Sequence, residues 1–254
     1  MNFLAAYTST NAWLLPAVIF TCVYGGRYLV MALVASLFAR PVADGRGWGR
    51  VHHNAPRVFD NKRHIRRELK YSFLTVVVFG MVIATLLGTG LMGSSLLYYQ
   101  LDRYPAWWFG LSIVLMLLLH DTFFYWIHRA MHSRVLFAVM HKVHHQSVHP
   151  TAFAAYSFHP TEALAEALIV TAIIFIMPVH PLAFFVFQTL STAYNVYGHC
   201  GREFYPQGTP THRWGRWINT STAHAAHHGK GRYNYGLYFL FWDRLMGTVD
   251  PQYK

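Results

Sequence analysis

An all-α fold set in a membrane and closed at one end by a histidine-rich helical cap is the architecture this sequence predicts. Three observations carry that expectation. Only 12% of the 254 residues are charged, against roughly 25% in an ordinary soluble domain. Apolar runs recur that reach the ~20 residues a bilayer-spanning helix needs. The 17 histidines fall largely into short groups at helical spacing. The shortage of charge excludes a disordered chain and a soluble nucleic-acid binder, both polar throughout, so no nucleic-acid partner is expected. Cys22 and Cys200 are the only cysteines and form no Cys-x-x-Cys pair. A disulfide framework and a thiolate zinc site are thereby excluded.

In chain order, residues 13–38 form the first apolar span. No basic stretch precedes it, so it reads as a retained anchor rather than a cleaved signal peptide. Arg27 interrupts it after Gly25-Gly26; an intramembrane charge is a functional candidate, with snorkelling or a helix break at the glycines as the alternative. Segment 39–70 is basic, with Arg63, Arg66, Arg67 and Lys70 at helical spacing, and suits a helix lying on anionic lipid. Its histidines, His52, His53 and His64, read as solvated. Spans two and three are expected at 71–98 and 106–127. Segment 162–198 is too long for one crossing and is broken by Met177-Pro178-Val179-His180-Pro181. Proline removes a donor and clashes inside a helix, so this segment reads as a hairpin of two shorter helices. No solenoid-length repeat or linker divides the chain, and residues 1–254 are expected to form a single membrane domain with a cap built from 128–161 and 199–254.

Basic residues fix the orientation. Segments 39–70, 128–161 and 199–254 hold nineteen of the 21 Lys and Arg residues. Three spans plus a hairpin place all three segments on one face, which the positive-inside rule makes the cytoplasmic one. Hence the net charge of +11 is chiefly a matter of topology, and the protein is expected to be a multi-pass integral membrane protein.

The cap carries the chemistry. His128-Arg-Ala-Met-His132 is His-x3-His, while His141-Lys-Val-His144-His145 and His224-Ala-Ala-His227-His228 are both His-x2-His-His. Positions i, i+3 and i+4 share a helix face, so each group aims its imidazoles one way. A lone buried histidine is usually a hydrogen-bonded core residue. Eight such rings on one side of a membrane would each need a partner, and a protonated cluster would repel itself. Metal ions satisfy one nitrogen of each. A catalytic zinc site takes about three protein ligands, so eight exceed one site, and two ions fit the count. Imidazole suits zinc, copper, iron and nickel alike. The absence of His-Glu-x-x-His disfavours a zinc protease of the helix-borne kind. A metal pair at the membrane surface is placed to act on lipid, and iron can activate dioxygen to remove hydrogen from an unactivated C–H bond, which no side-chain acid or base does.

These three boxes, in this order, resemble the signature of the fatty acid hydroxylase/sterol desaturase superfamily of membrane di-iron enzymes. Thr151-Ala-Phe-Ala-Ala-Tyr-Ser-Phe-His159-Pro160, Asn234-Tyr235-Gly236 and Trp242-Asp243-Arg244-Leu245-Met246-Gly247-Thr248 resemble segments of its sterol C-5 desaturase branch. The likeness covers about His120 to Thr248; the first hundred residues match only in hydropathy. It implies a di-iron oxidoreductase, with dioxygen as co-substrate, that desaturates or hydroxylates a sterol-like, isoprenoid or fatty-acyl lipid. NAD(P)H electrons would arrive through a donor protein, a b-type cytochrome or a ferredoxin with its reductase. It also implies a further ligand between the second and third boxes, where His199 stands. The implied metal ligands are thus His128, His132, His141, His144, His145, His199, His224, His227 and His228. Relatives often carry another histidine four residues from the position of His199, where this chain has Asn195 and Glu203. That departure leaves the second ion one ligand short or bound by Glu203, with Asn195 as a holder of bridging water.

His120, about 80° round the helix from His128, is a further ligand candidate or a hydrogen-bonded intramembrane residue. Asp121 is a candidate to orient an imidazole through its free N–H. His159, like His149 and His212, reads as structural or as support for a ligand. His180 falls at the far turn of the hairpin and is excluded. Trp242, Phe239 and Phe241 read as packing residues. The rival readings are a zinc-dependent membrane hydrolase, a metal transporter or sensor, and a non-catalytic metal-binding relative.

Overall fold

The computed structural model describes residues 13–39, 50–51, 62–206 and 208–253. Helix α1 (Leu14–Ala39) is apolar along most of its length, with Arg27 its one charged residue, and its only proline, Pro16, sits in the first turn, where a missing N–H costs nothing. Leu15 and Val30 are 67% and 61% exposed, as a lipid-facing surface requires. Helix α2 (Lys62–Gly88) lies against it. A Cβ added to Gly25 would come within 2.8 Å of Val76 Cγ1, so this glycine lets the two backbones approach.

Helix α2 corrects two expectations. Residues 62–70 are not a separate helix on the lipid surface but the first turns of the second span. Nothing between Lys70 and Tyr71 breaks a helix, and the basic turns have protein partners. His64 Nε2 lies 2.8 Å from Glu68 Oε1, and Arg67 donates to the Gln146 carbonyl at 2.9 Å. His64 is therefore half-buried and paired rather than solvated; His52 and His53 lie outside the described residues. The span also ends at Gly88, ten residues before the expected boundary. Gly90 adopts φ 74°, and the chain turns through short 3-10 segments, Leu91–Ser94 and Leu101–Arg103.

Helix α3 (Ala106–Met131) starts after Pro105, and His132 is its C-cap. It runs one turn past the expected 127, so His128 belongs to the spanning helix itself. Short helices α4 (Arg134–Leu136) and α5 (Lys142–His145) flank a π-helical turn, Phe137–His141. A 3-10 segment, Ala152–Tyr156, leads to the hairpin of α6 (Pro160–Ile176) and α7 (Pro181–His199). Both hairpin helices begin His-Pro. In each, the imidazole caps the first turn, His159 accepting from the Thr161 amide and His180 from the Leu182 amide. Proline suits such a helix start.

Beyond the hairpin, β2 (Arg202–Glu203) pairs antiparallel with β1 (Arg50–Val51), Arg50 opposite Glu203. Helix α8 (Ser221–Lys230) and the single turn α9 (Phe241–Leu245) complete the described α-helices. Helices α1, α2 and α3 are long and apolar enough to cross a membrane. A tyrosine-centred core joins α1, α2, the 152–156 segment and α7 through Tyr24, Tyr28, Tyr156 and Val196. A second, aliphatic core joins α3 to the hairpin through Met116, Ile173 and Phe187.

Candidate metal centre

The ends of α3 and α7, with α5, the π-helical turn and α8, bring nine imidazoles together in two groups. His128, His132, His141, His145 and His227 form one; His144, His199, His224 and His228 form the other, with potential ligand atoms in each within 4.8 Å of one another. All nine rings singled out from the sequence are here. Each His-x2-His-His triplet is divided between the groups. His141 and His145 face one and His144 the other; His227 faces the first and His224 and His228 the second.

The outward nitrogens determine the tautomers. A carbonyl oxygen only accepts, so a ring nitrogen at 2.7 Å from it must carry the proton. His128 Nδ1 donates to the Tyr235 carbonyl at 2.7 Å, His227 Nδ1 to the Tyr233 carbonyl at 2.7 Å and His199 Nδ1 to the Asn195 carbonyl at 2.7 Å. Their Nε2 atoms are therefore bare lone pairs, and these point inward at other ring nitrogens. His128 Nε2 lies 3.0 Å from His141 Nε2 and His227 Nε2 lies 3.1 Å from His145 Nε2. His199 Nε2 has His224, His228 and His144 Nε2 at 3.0, 3.2 and 3.3 Å. Crowded lone pairs repel unless a cation lies among them. Protonation is disfavoured: burial first, then the neighbouring imidazoles, holds His141, His144, His224, His227 and His228 well below the ordinary histidine value, and burial brings His145 down to about 4. Neutral, inward-facing imidazoles, three of them anchored from outside by carbonyls, are a donor set suited to transition-metal ions.

The sequence profile of the fatty acid hydroxylase family matches residues 113–248, a stretch that contains both groups. The chain belongs to the fatty acid hydroxylase family. Among curated relatives, it is 33% identical over 189 residues to lathosterol oxidase of Homo sapiens, covering 74% of this chain and 62% of the human one. It is 30% identical over 196 residues to Delta(7)-sterol 5(6)-desaturase of Leptosphaeria maculans, covering 77% and 52%. The corresponding enzyme name in Schizosaccharomyces pombe matches at 30% over 193 residues, covering 76% and 56%. The chain thus spans only part, between half and about three fifths, of the length of these relatives. No solved structure matches it.

In this member of the fatty acid hydroxylase family, the other residues singled out from the sequence lie outside both groups. His120 Nδ1 pairs with the Tyr238 hydroxyl at 2.7 Å, the hydrogen-bonded alternative rather than the ligand. Asp121 orients no imidazole among the described residues. Its Oδ1 accepts the Leu237, Tyr238 and Phe239 amides at 3.0, 2.7 and 3.3 Å, clasping the C-terminal loop to α3. His159 is the helix cap described above. Asn195 contributes its backbone carbonyl to His199, while its side-chain amide donates to the Ala155 carbonyl at 2.8 Å.

Glu203 is likewise committed elsewhere. Its carboxylate accepts from the Tyr197 hydroxyl at 2.5 Å, the Tyr205 amide at 3.0 Å, and the Thr222 amide and hydroxyl at 3.0 and 2.7 Å. Burial alone would raise its pKa, but these donors outweigh it and hold the group below the usual carboxylate range. A carboxylate at the first turn of α8 also complements the helix dipole.

Glu162 was not singled out by the sequence. Its Oε1 lies 2.6 Å from His141 Nδ1, with both side chains 2% exposed, so it anchors the ring from outside as the loop carbonyls anchor His128 and His227. The available signal was an acidic residue opening an apolar hairpin in a chain with only 10 Asp and Glu. Residues 234–236 of the neighbouring loop were singled out only by resemblance, and their geometry explains the motif. Asn234 sits at φ 57° between the two anchoring carbonyls, and its side chain ties to the Ala223 carbonyl and the Asp250 amide at 3.0 Å each. A Cβ on Gly236 would collide with the Phe239 carbonyl oxygen. Asp243 accepts the Tyr235 and Gly236 amides at 2.9 Å, holding this loop.

Proposed function

We propose that the protein is a membrane-embedded di-iron oxidoreductase that uses dioxygen and electrons to desaturate or hydroxylate a lipid C–H bond, with desaturation of a sterol-like or other isoprenoid ring favoured. The observation that carries this reading is the pair of histidine groups, their lone pairs converging and the outer nitrogens of His128, His141, His199 and His227 anchored. Membership of the fatty acid hydroxylase family and relatives named lathosterol oxidase and Delta(7)-sterol 5(6)-desaturase support the substrate class.

His128, His132, His141, His145 and His227 would hold one ion; His144, His199, His224 and His228 the other. Iron bound there would supply dioxygen activation and hydrogen removal from an unactivated carbon. The chain's own part is to keep the rings neutral by burial, fix their tautomers from outside through Glu162 and the Tyr233, Tyr235 and Asn195 carbonyls, and keep the site within one membrane domain. Charge counting supports a cytoplasmic face for the cap, within reach of a soluble or membrane-anchored electron donor such as a b-type cytochrome or ferredoxin. An acidic donor suits the basic segments.

The test combines metal analysis of the purified protein with mass spectrometry of lipids from cells with and without the gene. About two irons per chain, together with a lipid lighter by two hydrogens, are expected; one added oxygen would indicate hydroxylation. About two zinc ions with full turnover under anaerobic conditions would refute the proposal in favour of a hydrolase.

A further inference from the structure

Away from the histidines, a cavity of about 600 Å³ lies between α1, α2 and the hairpin, within the ~300–1,000 Å³ of ligand-sized pockets. Its wall on α1 runs from Pro16 to Arg27, about 16 Å at 1.5 Å per residue. Ile19 and Val23 on that wall remain 53% and 51% exposed, so the cavity opens sideways to the apolar phase. Among the described residues lining it, Arg27 alone carries a charge.

Arg27 stands where a charge is expensive. It lies thirteen residues after Leu14 and twelve before Ala39, about 18 Å or more from either helix end and too deep to snorkel. Helix α1 runs unbroken through Gly25-Gly26, so no break at the glycines relieves it. Its Nη1 donates to Thr189 Oγ1 at 3.2 Å, and the guanidinium lies 4.6 and 5.6 Å from the centres of the Tyr24 and Phe185 rings. Nε and Nη2 are buried donors that bond no described residue. The Tyr156 hydroxyl nearby is taken up by Tyr24 and Thr192 at 2.9 and 2.8 Å. The two free N–H groups share one edge of the planar guanidinium and point the same way, a fork that matches the two oxygens of a carboxylate. An unpaired buried charge is costly, and no described Asp or Glu lines the cavity to supply the missing anion.

We propose that this cavity is a second lipid site, apart from the histidines, that takes a single-chain lipid with a carboxylate head, the carboxylate on the Nε–Nη2 edge of Arg27 and the chain along α1 toward Pro16. A carboxylate sets one negative charge against one positive charge, whereas a phosphate monoester brings about −1.5 to −2 and leaves an excess inside the membrane. A carboxyl group also crosses the apolar phase as the neutral acid, without the cost of an isolated charge, and so reaches this depth. The bound lipid is not poised at the histidines. Thr189, which holds Arg27, stands ten residues before His199 on α7, about 15 Å along the axis. The rings of Tyr24, Tyr156, Phe158 and His144 pack in series from Arg27 to the four-membered group, with centres 5.7, 6.4 and 5.1 Å apart in turn.

The test uses the purified full chain in phosphatidylcholine nanodiscs with a diazirine-bearing hexadecanoate as probe, challenged by unlabelled hexadecanoate, hexadecan-1-ol or hexadecyl phosphate. Labelling is expected on α1, α2, α6 and α7, with hexadecanoate competing at least about tenfold better than the alcohol, as hydrogen bonds to a charged group allow, and better than the phosphate. Arg27→Gln should abolish the preference for hexadecanoate over the alcohol. Arg27→Lys, which keeps the charge and loses the fork, should keep only part of it. Ile83→Trp, filling the cavity, should remove labelling. Metal content should stay at the wild-type level in all three variants, which also reports folding, and the order of competitors on the wild-type chain decides the head group without any variant. Equal competition by hexadecan-1-ol, stronger competition by hexadecyl phosphate, a carboxylate preference that survives Arg27→Gln, or labelling confined to the histidine segments would overturn the proposal. None of these outcomes bears on lipid oxidation, so the site and the proposed activity fail independently.

Discussion

Glu162→Ala tests whether an ion is held by rings whose orientation is imposed from outside. In the structure, Glu162 Oε1 and His141 Nδ1 are 2.6 Å apart and both side chains are 2% exposed, so neither partner has water to replace the other. A hydrogen bond to a charged group contributes about 1.5–3 kcal/mol, and removing an outer partner of a metal-bound histidine typically costs roughly 10–100-fold in affinity. The two scales agree, since 1.4 kcal/mol is about tenfold. Glu162→Ala is therefore expected to weaken iron binding by roughly 10–100-fold in the five-membered group, which contains His141, and to leave the four-membered group loaded. Glu162→Gln keeps an acceptor and should lose less. Chelator competition on the purified protein, read as iron released against chelator concentration, measures both. Equal iron retention in wild type and Glu162→Ala would refute the reasoning, as would selective loss from the other group.

Three further outcomes follow from the same geometry. His228→Ala leaves three imidazoles in the smaller group while His132→Ala leaves four in the larger, so the first should lower iron stoichiometry toward one per chain more completely than the second; elemental analysis decides it. Asp121→Ala strands the three amides it accepts, and a buried unsatisfied group costs about 1–3 kcal/mol. The variant should lower thermal stability and make the 233–239 loop protease-sensitive, with Asp121→Asn milder; equal protease resistance would contradict the clasp. The metal-free protein should lose stability on acidification. His145 titrates at 6.5 when unfolded and at about 4 when folded, so its contribution is fully present above pH 6.5 and is lost as pH falls toward 4. A melting temperature flat across that window would contradict it.

The helices and the histidine groups were legible because both leave local patterns. Spacing of i, i+3 and i+4 needs no knowledge of the rest of the fold, and all nine rings meet. Which triplet member faces which group was not legible, because it depends on the π-helical turn Phe137–His141 and on the crossing of α5 with α8. The ends of α2 were misread for a related reason. Hydropathy sees the apolar part of a helix, and the basic turns that begin it are held by the Gln146 carbonyl, a partner known only from tertiary contact. His120 stood out as a ligand candidate and Asp121 as a support for one because polar residues inside a span are conspicuous. Their partners, the 237–239 amides and the Tyr238 hydroxyl, come from a loop more than a hundred residues later.

The divided triplets have a mechanical corollary. Two sites built from separate segments can drift apart when one is emptied. Here the same two short stretches, 141–145 and 224–228, supply both groups, so the gap between them is set by helical pitch, with Cβ atoms ~5–6 Å apart at these offsets. The backbone acts as a spacer of fixed length. An ion lost from one group would leave its neighbour's position almost unchanged, and the vacant place would stay registered for refilling rather than having to be rebuilt.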